Sequence, residues 1–152
     1  MSLRLRLFKF LWNLYPPFFF SGIHIRYVAP DWKEVIVELR KHFWTRNYVG
    51  TAFGGSLYAA CDPFYMLMLI KILGVKDYIV WDKGAVIDFK KPGRSTITYR
   101  FMLTDQKIEG LLKEVEEKGK VLPEFTVNGV DTQGEVVVSI RKILYVRKKV
   151  TS

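Results

Sequence analysis

This chain of 152 residues has only one cysteine and two histidines, the side chains that build most zinc sites. The lone Cys61 excludes an intramolecular disulfide framework and any cysteine-built zinc cluster, and it points to a reducing, cytoplasmic setting. His24 and His42 have no companion at metal-ligand spacing. Structural or surface roles are expected of both, and no metal site. Internal repeats, low-complexity tracts and linkers are also missing, so residues 1–152 are expected to form one domain. No secretory leader is expected either. Arg4, Arg6 and Lys9 are threaded through the apolar residues of the first segment instead of preceding an unbroken apolar block.

What is present is apolar and basic. Hydrophobic residues make up 49% and aromatics 15%, ample for a packed core. The formal net charge is +9, which favours anionic partners. The basic residues are spread along the chain and crowd in the tail at Arg141, Lys142, Arg147, Lys148 and Lys149. Spread in this way they identify no particular anion, and no specific nucleic-acid partner is expected. Leu3, Leu7, Phe10, Leu11 and Leu14 recur at helical spacing, which predicts an amphipathic helix over 1–20 with Pro16 and Pro17 ending its regular part. Packing of that stripe on its own domain is favoured over peripheral contact with a membrane.

Alternation predicts strands at 24–29 and 34–42. The run from Gly54 to Leu73 is apolar on nearly every side, and its Ala, Leu and Met content and the following Gly74 favour a buried helix. A transmembrane span of this length is disfavoured by Asp62, a carboxylate at mid-segment. Strands follow at 78–90 and 95–103, with the Lys-Pro-Gly-Arg turn (91–94) read as a tight hairpin. An amphipathic helix is expected from Asp105, its candidate cap, to Lys118, with Gly119 ending it. Strands at 121–130 and 135–146 complete the chain. The order predicts an α+β fold in which one antiparallel sheet curls around a long central helix, with an extra helix at the N-terminus.

Chemistry concentrates in 47–63. Gly54 and Gly55 open the central helix, where unpaired backbone N–H groups and the helix dipole can hold a developing oxyanion. Asp62 is the helix's only acid and a candidate general base or nucleophile. Eight positions separate Gly54 from Asp62, about 12 Å along a helix axis. One chain cannot bring both to a single carbonyl. Two such helices lying antiparallel across a twofold axis can, so catalysis by this pair requires a dimer.

The run N-x-x-G-T-x-F-G-G-x-x-x-x-x-x-D, from Asn47 to Asp62, resembles the signature of hotdog-fold thioesterases of the phenylacetate-pathway type. The resemblance extends over nearly the whole chain and implies the hotdog fold, dimers with joined sheets, or tetramers built from them, and sites shared between subunits. By the same resemblance Gly54 supplies an oxyanion N–H, Asn47 orients the carbonyl or water, and Asp62 acts from the other subunit. It also implies a coenzyme A thioester as substrate, with basic residues near strand ends on its phosphates, for which Lys90, Lys91 and Arg94 are the candidates. Gly55, Tyr58 and Tyr65 are candidate substrate contacts, Tyr58 and Tyr65 along an acyl tunnel together with Phe64 and Met66. No cofactor beyond the coenzyme A of the substrate is implied. Two departures stand out: Phe53 occupies the position where many relatives carry His, and Pro63 follows the acid directly. The chain is closer to a thioesterase-like branch of the superfamily. An acyl-thioester hydrolase is expected, with a non-catalytic acyl-CoA or fatty-acid binder as the alternative. A hydratase, which pairs His with an acid, is disfavoured because His24 and His42 lie far along the chain from this segment.

Overall fold

The computed structural model describes residues 3–149, so the ends of the expected 1–152 domain, residues 1–2 and 150–152, lie outside the described residues. The elements run α1 (Leu3–Leu14), α2 (Pro16–Ser21), β1 (Ile23–Val28), β2 (Glu34–Leu39), a 3-10 turn (Phe43–Thr45), α3 (Gly54–Ala59), α4 (Phe64–Leu73), β3 (Tyr78–Phe89), β4 (Ile97–Met102), α5 (Asp105–Lys118), β5 (Lys120–Val121), β6 (Glu124–Val130) and β7 (Val136–Lys148). Seven strands form one sheet of order β1-β2-β4-β6-β7-β3, with the short β5 added beside β7. Every pairing is antiparallel. The α+β architecture expected from sequence is present.

The segment from Gly54 to Leu73 is long and apolar enough to cross a membrane by length and composition, but Leu57, Phe64, Met68 and Leu69 are buried in the core. It is the core helix around which the sheet curls. Phe64 meets Phe101 of β4 at 5.1 Å between ring centres, and Tyr65 stacks on Phe125 of β6 at 4.9 Å. Each such fully buried large side chain contributes about 1.5–3 kcal/mol. The helix is not continuous. Pro63 has no N–H to give, and the ladder breaks into α3 and α4 around residues 60–63. At the break the Cys61 N–H bonds to the Tyr58 carbonyl, and the Leu57 carbonyl instead accepts the buried Tyr99 hydroxyl at 2.9 Å. A strand thus repairs the helix.

The two sheet edges are treated differently. On β1, the Asn13 side chain of α1 imitates a strand: its Oδ1 accepts from the Ile25 N–H at 2.7 Å and its Nδ2 donates to the Ile25 carbonyl at 3.2 Å. Lys9 Nζ donates to the next carbonyl, Arg26, at 3.1 Å. On the far side β3 pairs only with β7, leaving a 12-residue strand open along its outer edge.

Several sequence expectations are corrected. The Lys-Pro-Gly-Arg segment is not a hairpin turn, because β3 lies at the sheet edge against β7 while β4 lies between β2 and β6. Residues 90–96 cross over instead, with the Lys90 and Lys91 N–H groups bonded to the Val137 carbonyl and Gly93 pressed against Ala52. Thr104, not Asp105, caps α5, accepting from the Lys107 N–H at 3.3 Å. The N-terminal helix is two: Pro16 ends the first and opens the second, where proline's missing N–H costs nothing. Its buried face is also different. Leu5, Phe8 and Trp12 pack on the domain, whereas Leu3, Leu7, Phe10, Leu11 and Leu14 face outward.

Candidate functional site

The break in the central helix sets Asp62 on a half-exposed corner, where it is held by a residue the sequence did not single out. Lys142 of β7 is completely buried, with its Nζ 2.8 Å from Asp62 Oδ1 and 3.2 Å from the Tyr58 hydroxyl. The same ammonium lies 2.9 Å from Asp82 Oδ1 on β3, a buried oxygen whose contact is ionic rather than a directed hydrogen bond. It also stands 5.1 Å over the Tyr58 ring. Burial pulls the Lys142 ammonium down, but its ion pairs with Asp62 and Asp82 outweigh that and hold it above its ordinary range. Burial pushes the Asp82 carboxyl up, offset in part by Lys142. Burial likewise raises the Tyr58 hydroxyl. A charge this deep survives only when its partners are fixed, so Asp62 is pinned from within its own chain.

Lys142 belongs to the core phase of β7. Val138, Ile140, Lys142, Leu144 and Val146 alternate inward, and that period could have flagged it. By composition alone it falls among the basic residues that crowd in the tail.

The other end of the segment is built from loops. Asn47 closes the turn before α3: its Oδ1 accepts from the Thr51 N–H at 3.0 Å, and its Nδ2 donates to Thr51 Oγ1 at 2.8 Å. Its second Nδ2 hydrogen is not used in that turn. Leu57 is the first residue of α3 whose N–H reaches back to an intrahelical carbonyl, that of Phe53. The amides of Gly54, Gly55 and Ser56 precede it in the first turn, so the helix itself gives them no acceptor. An open cleft of about 430 Å³ lies here, lined by Asn47, Gly54, Leu57, Phe89, Lys90 and Lys91 among others. Lys90 is paired with Asp88, and Lys91 lies 3.0 Å from Asp131.

The structure therefore brings Asn47, Gly54, Lys90 and Lys91 together and leaves Asp62 and Tyr58 at a separate corner. Gly55 and Arg94 do not line the cleft; a methyl on Gly55 would meet its own neighbour Phe53 at 2.5 Å. Tyr65 is a core residue that donates to the Thr126 carbonyl at 3.1 Å, and Phe64 is buried beside it. Cys61 is fully buried, and desolvation pushes its thiol up to about 12, as suits an inert core residue. His24 is half-buried on β1, and His42 stacks on Trp44 at 4.5 Å. Among the described residues no group of three or more His, Cys, Asp or Glu could hold a metal ion.

The curled antiparallel sheet, its broken core helix and a Gly-Gly helix start define a hotdog fold. The solved structures it resembles share this architecture. A Pseudomonas aeruginosa protein of unknown function, named a probable thioesterase, is 20% identical, with 98% of this chain and 99% of that one aligned at a TM-score of 0.85. A thioesterase from Haemophilus influenzae is 14% identical over 97% and 93% of the two chains, at 0.69. The PaaI protein of the E. coli phenylacetic acid degradation operon is 15% identical over 93% and 90%, at 0.63. No curated protein matches the sequence. Residues 4–146 match the model of a domain family of unknown function, DUF4442, and the chain belongs to that family.

Proposed function

We propose that the protein is a homodimeric acyl-thioester hydrolase, with acyl-CoA as the substrate class, whose site is completed across the subunit interface. The observation that carries this reading is the division of the site. The cleft beside Gly54 holds amide donors and lysines but no acid from the central segment, while Asp62, eight residues further along the chain, is fixed by Lys142. The open β3 edge supports association, because a long unpaired strand is a template for a second copy, and Trp81 and Val86 are exposed along it. An antiparallel encounter of two β3 strands would extend the sheet and bring the two core helices side by side in opposite directions.

In that arrangement the thioester carbonyl lies in the cleft with its oxygen toward the Gly54 N–H and the remaining Asn47 Nδ2 hydrogen. Water attacks the carbonyl carbon while the partner's Asp62 takes its proton. The tetrahedral oxyanion is stabilised by the same donors. It collapses with cleavage of the C–S bond, and the leaving thiolate takes up the proton to give the free thiol and the carboxylic acid. Lys90 and Lys91 meet the phosphates of the coenzyme A portion by charge. The reading requires no metal or redox cofactor and no specific nucleic-acid partner, and a reducing cytoplasm suits it.

A panel of acyl-CoA thioesters, with released thiol measured, tests the reading. Turnover by the wild type that falls by about 100-fold or more in Asp62→Asn supports it; full turnover in that variant excludes Asp62 as base. The second reading, an acyl-ligand binder without turnover, is favoured by Phe53 in the histidine position and by the commitment of Asn47 to its own turn. Tight acyl-CoA binding with no thiol release would establish it.

A further inference from the structure

The N-terminal arm carries two apolar faces, and only one of them is used. The inner face of α1 is fixed to the domain by Leu5, Phe8 and Trp12 in the core and by Asn13 and Lys9 on the β1 edge. On the opposite side Leu3, Leu7, Phe10, Leu11 and Leu14 form a second stripe, exposed from 54% at Leu14 to 82% at Leu3. At 100° per residue these five positions fall within about a third of the helix circumference, centred opposite Trp12. Arg4 borders the stripe on one side and Arg6 on the other, and both are exposed. The stripe continues beyond α1. Leu14, Phe19 of α2 and Trp44 of the 3-10 turn line a groove of about 320 Å³ together with His24, Arg40 and His42, and Tyr15 and Phe20 stand exposed nearby in sequence.

Leaving five large apolar side chains of one short helix in water is costly, and such a patch on a soluble surface marks an interaction site. Charge identifies the occupant. The first thirty residues hold no Asp or Glu; the first acid of the chain is Asp31. An isologous contact with a second copy would have to supply the counter-ions of Arg4 and Arg6 from this same arm, and the arm has none. An anionic lipid surface supplies both requirements, hydrocarbon beneath the stripe and phosphates at its borders.

We propose that the α1–α2 arm is a docking surface for an anionic phospholipid bilayer. Helix α1 lies in the plane of the interface, with Leu3, Leu7, Phe10, Leu11 and Leu14 sunk to the acyl boundary. Arg4 and Arg6 reach outward from its flanks to lipid phosphates, their stems lying on apolar surface. Tyr15, Phe19, Phe20 and Trp44 occupy the headgroup level, where aromatic rings with one wet edge are favoured. Because α1 is anchored by its inner face, docking requires no unfolding of the arm, and the open β3 edge lies at the other end of the sheet order. Lipid contact and self-association therefore use different surfaces.

The test is co-sedimentation of the full chain with vesicles of phosphatidylcholine alone or mixed with phosphatidylglycerol. Retention on the mixed vesicles, stronger than on phosphatidylcholine and weakened by salt, is expected. Removing the two flanking charges, Arg4→Gln with Arg6→Gln, should weaken that binding by roughly 30-fold. Leu7→Ser with Leu11→Ser, whose side chains leave the fold untouched, should abolish it while circular dichroism and thermal unfolding stay as in the wild type. Wild-type protein that remains in solution with both vesicle types overturns the proposal. So does a Leu7→Ser/Leu11→Ser chain that loses an oligomeric state by light scattering yet binds vesicles unchanged, since the stripe would then be covered by a second copy.

Discussion

The two ends of the core segment are built on opposite plans. At Asp62 a buried lysine, two carboxylates and a tyrosine form a network that its own chain completes. At Gly54 the walls are loops and the cleft is open, its lysines paired only at the surface. One end is a closed polar network; the other is an open cleft. The difference teaches that the two ends are built separately within one chain; under the proposed reading, association has only to set them face to face.

Lys142 is where that contrast breaks most severely. Lys142→Ala leaves two carboxylates facing each other in a partly buried pocket and should cost about 3–5 kcal/mol in urea unfolding. A conservative Lys142→Met chain gives the pH signature. A folded-state value above the ordinary 10.5 means that the ammonium's contribution is complete below 10.5 and is lost as pH rises through the folded value. The stability gap between wild type and Lys142→Met should therefore be level across neutral pH and narrow in strong alkali. Tyr99→Phe strips the donor from the Leu57 carbonyl at the helix break and should cost about 1–2 kcal/mol, loosening the Asp62 end without touching the cleft. Asn47→Ala removes two turn hydrogen bonds at the open end, and about 1 kcal/mol is expected, with activity falling further than stability. Gly54→Ala is the mildest. A methyl there meets only the exposed Phe89 ring at 3.4 Å, so stability should shift by less than about 0.5 kcal/mol. Activity should drop all the same, because the methyl crowds the oxyanion position; unchanged turnover would reduce Gly54 to a packing residue.

Much of this was legible in the chain. The Gly-Gly start, the apolar run to Leu73 and the lone acid within it mark the core helix and the hotdog order of elements, and the structure has them. The sheet order was less accessible. β3 and β7 pair from Tyr78 with Lys148 to Phe89 with Val138, so the partners are distant in sequence, and local turn signals at Pro92 and Gly93 favoured a neighbour that the strand does not take. Lys142 was obscured by the basic residues around it, although its place in the inward alternation of β7 was visible. The N-terminal helix misled for a different reason. Both of its faces are apolar, and periodicity cannot say which one meets the domain; the large rings of Phe8 and Trp12, which bury more area than the leucines opposite, decide it.

Subunit mixing tests the shared site most directly. Chains carrying Asp62→Asn and chains carrying Asn47→Ala, each nearly inactive as homodimers, are co-expressed with different tags and the hybrid isolated. If the acid of one protomer serves the cleft of the other, the hybrid contains one intact site and recovers about half the wild-type thioesterase rate. A hybrid as inactive as either parent would contradict a site divided between subunits.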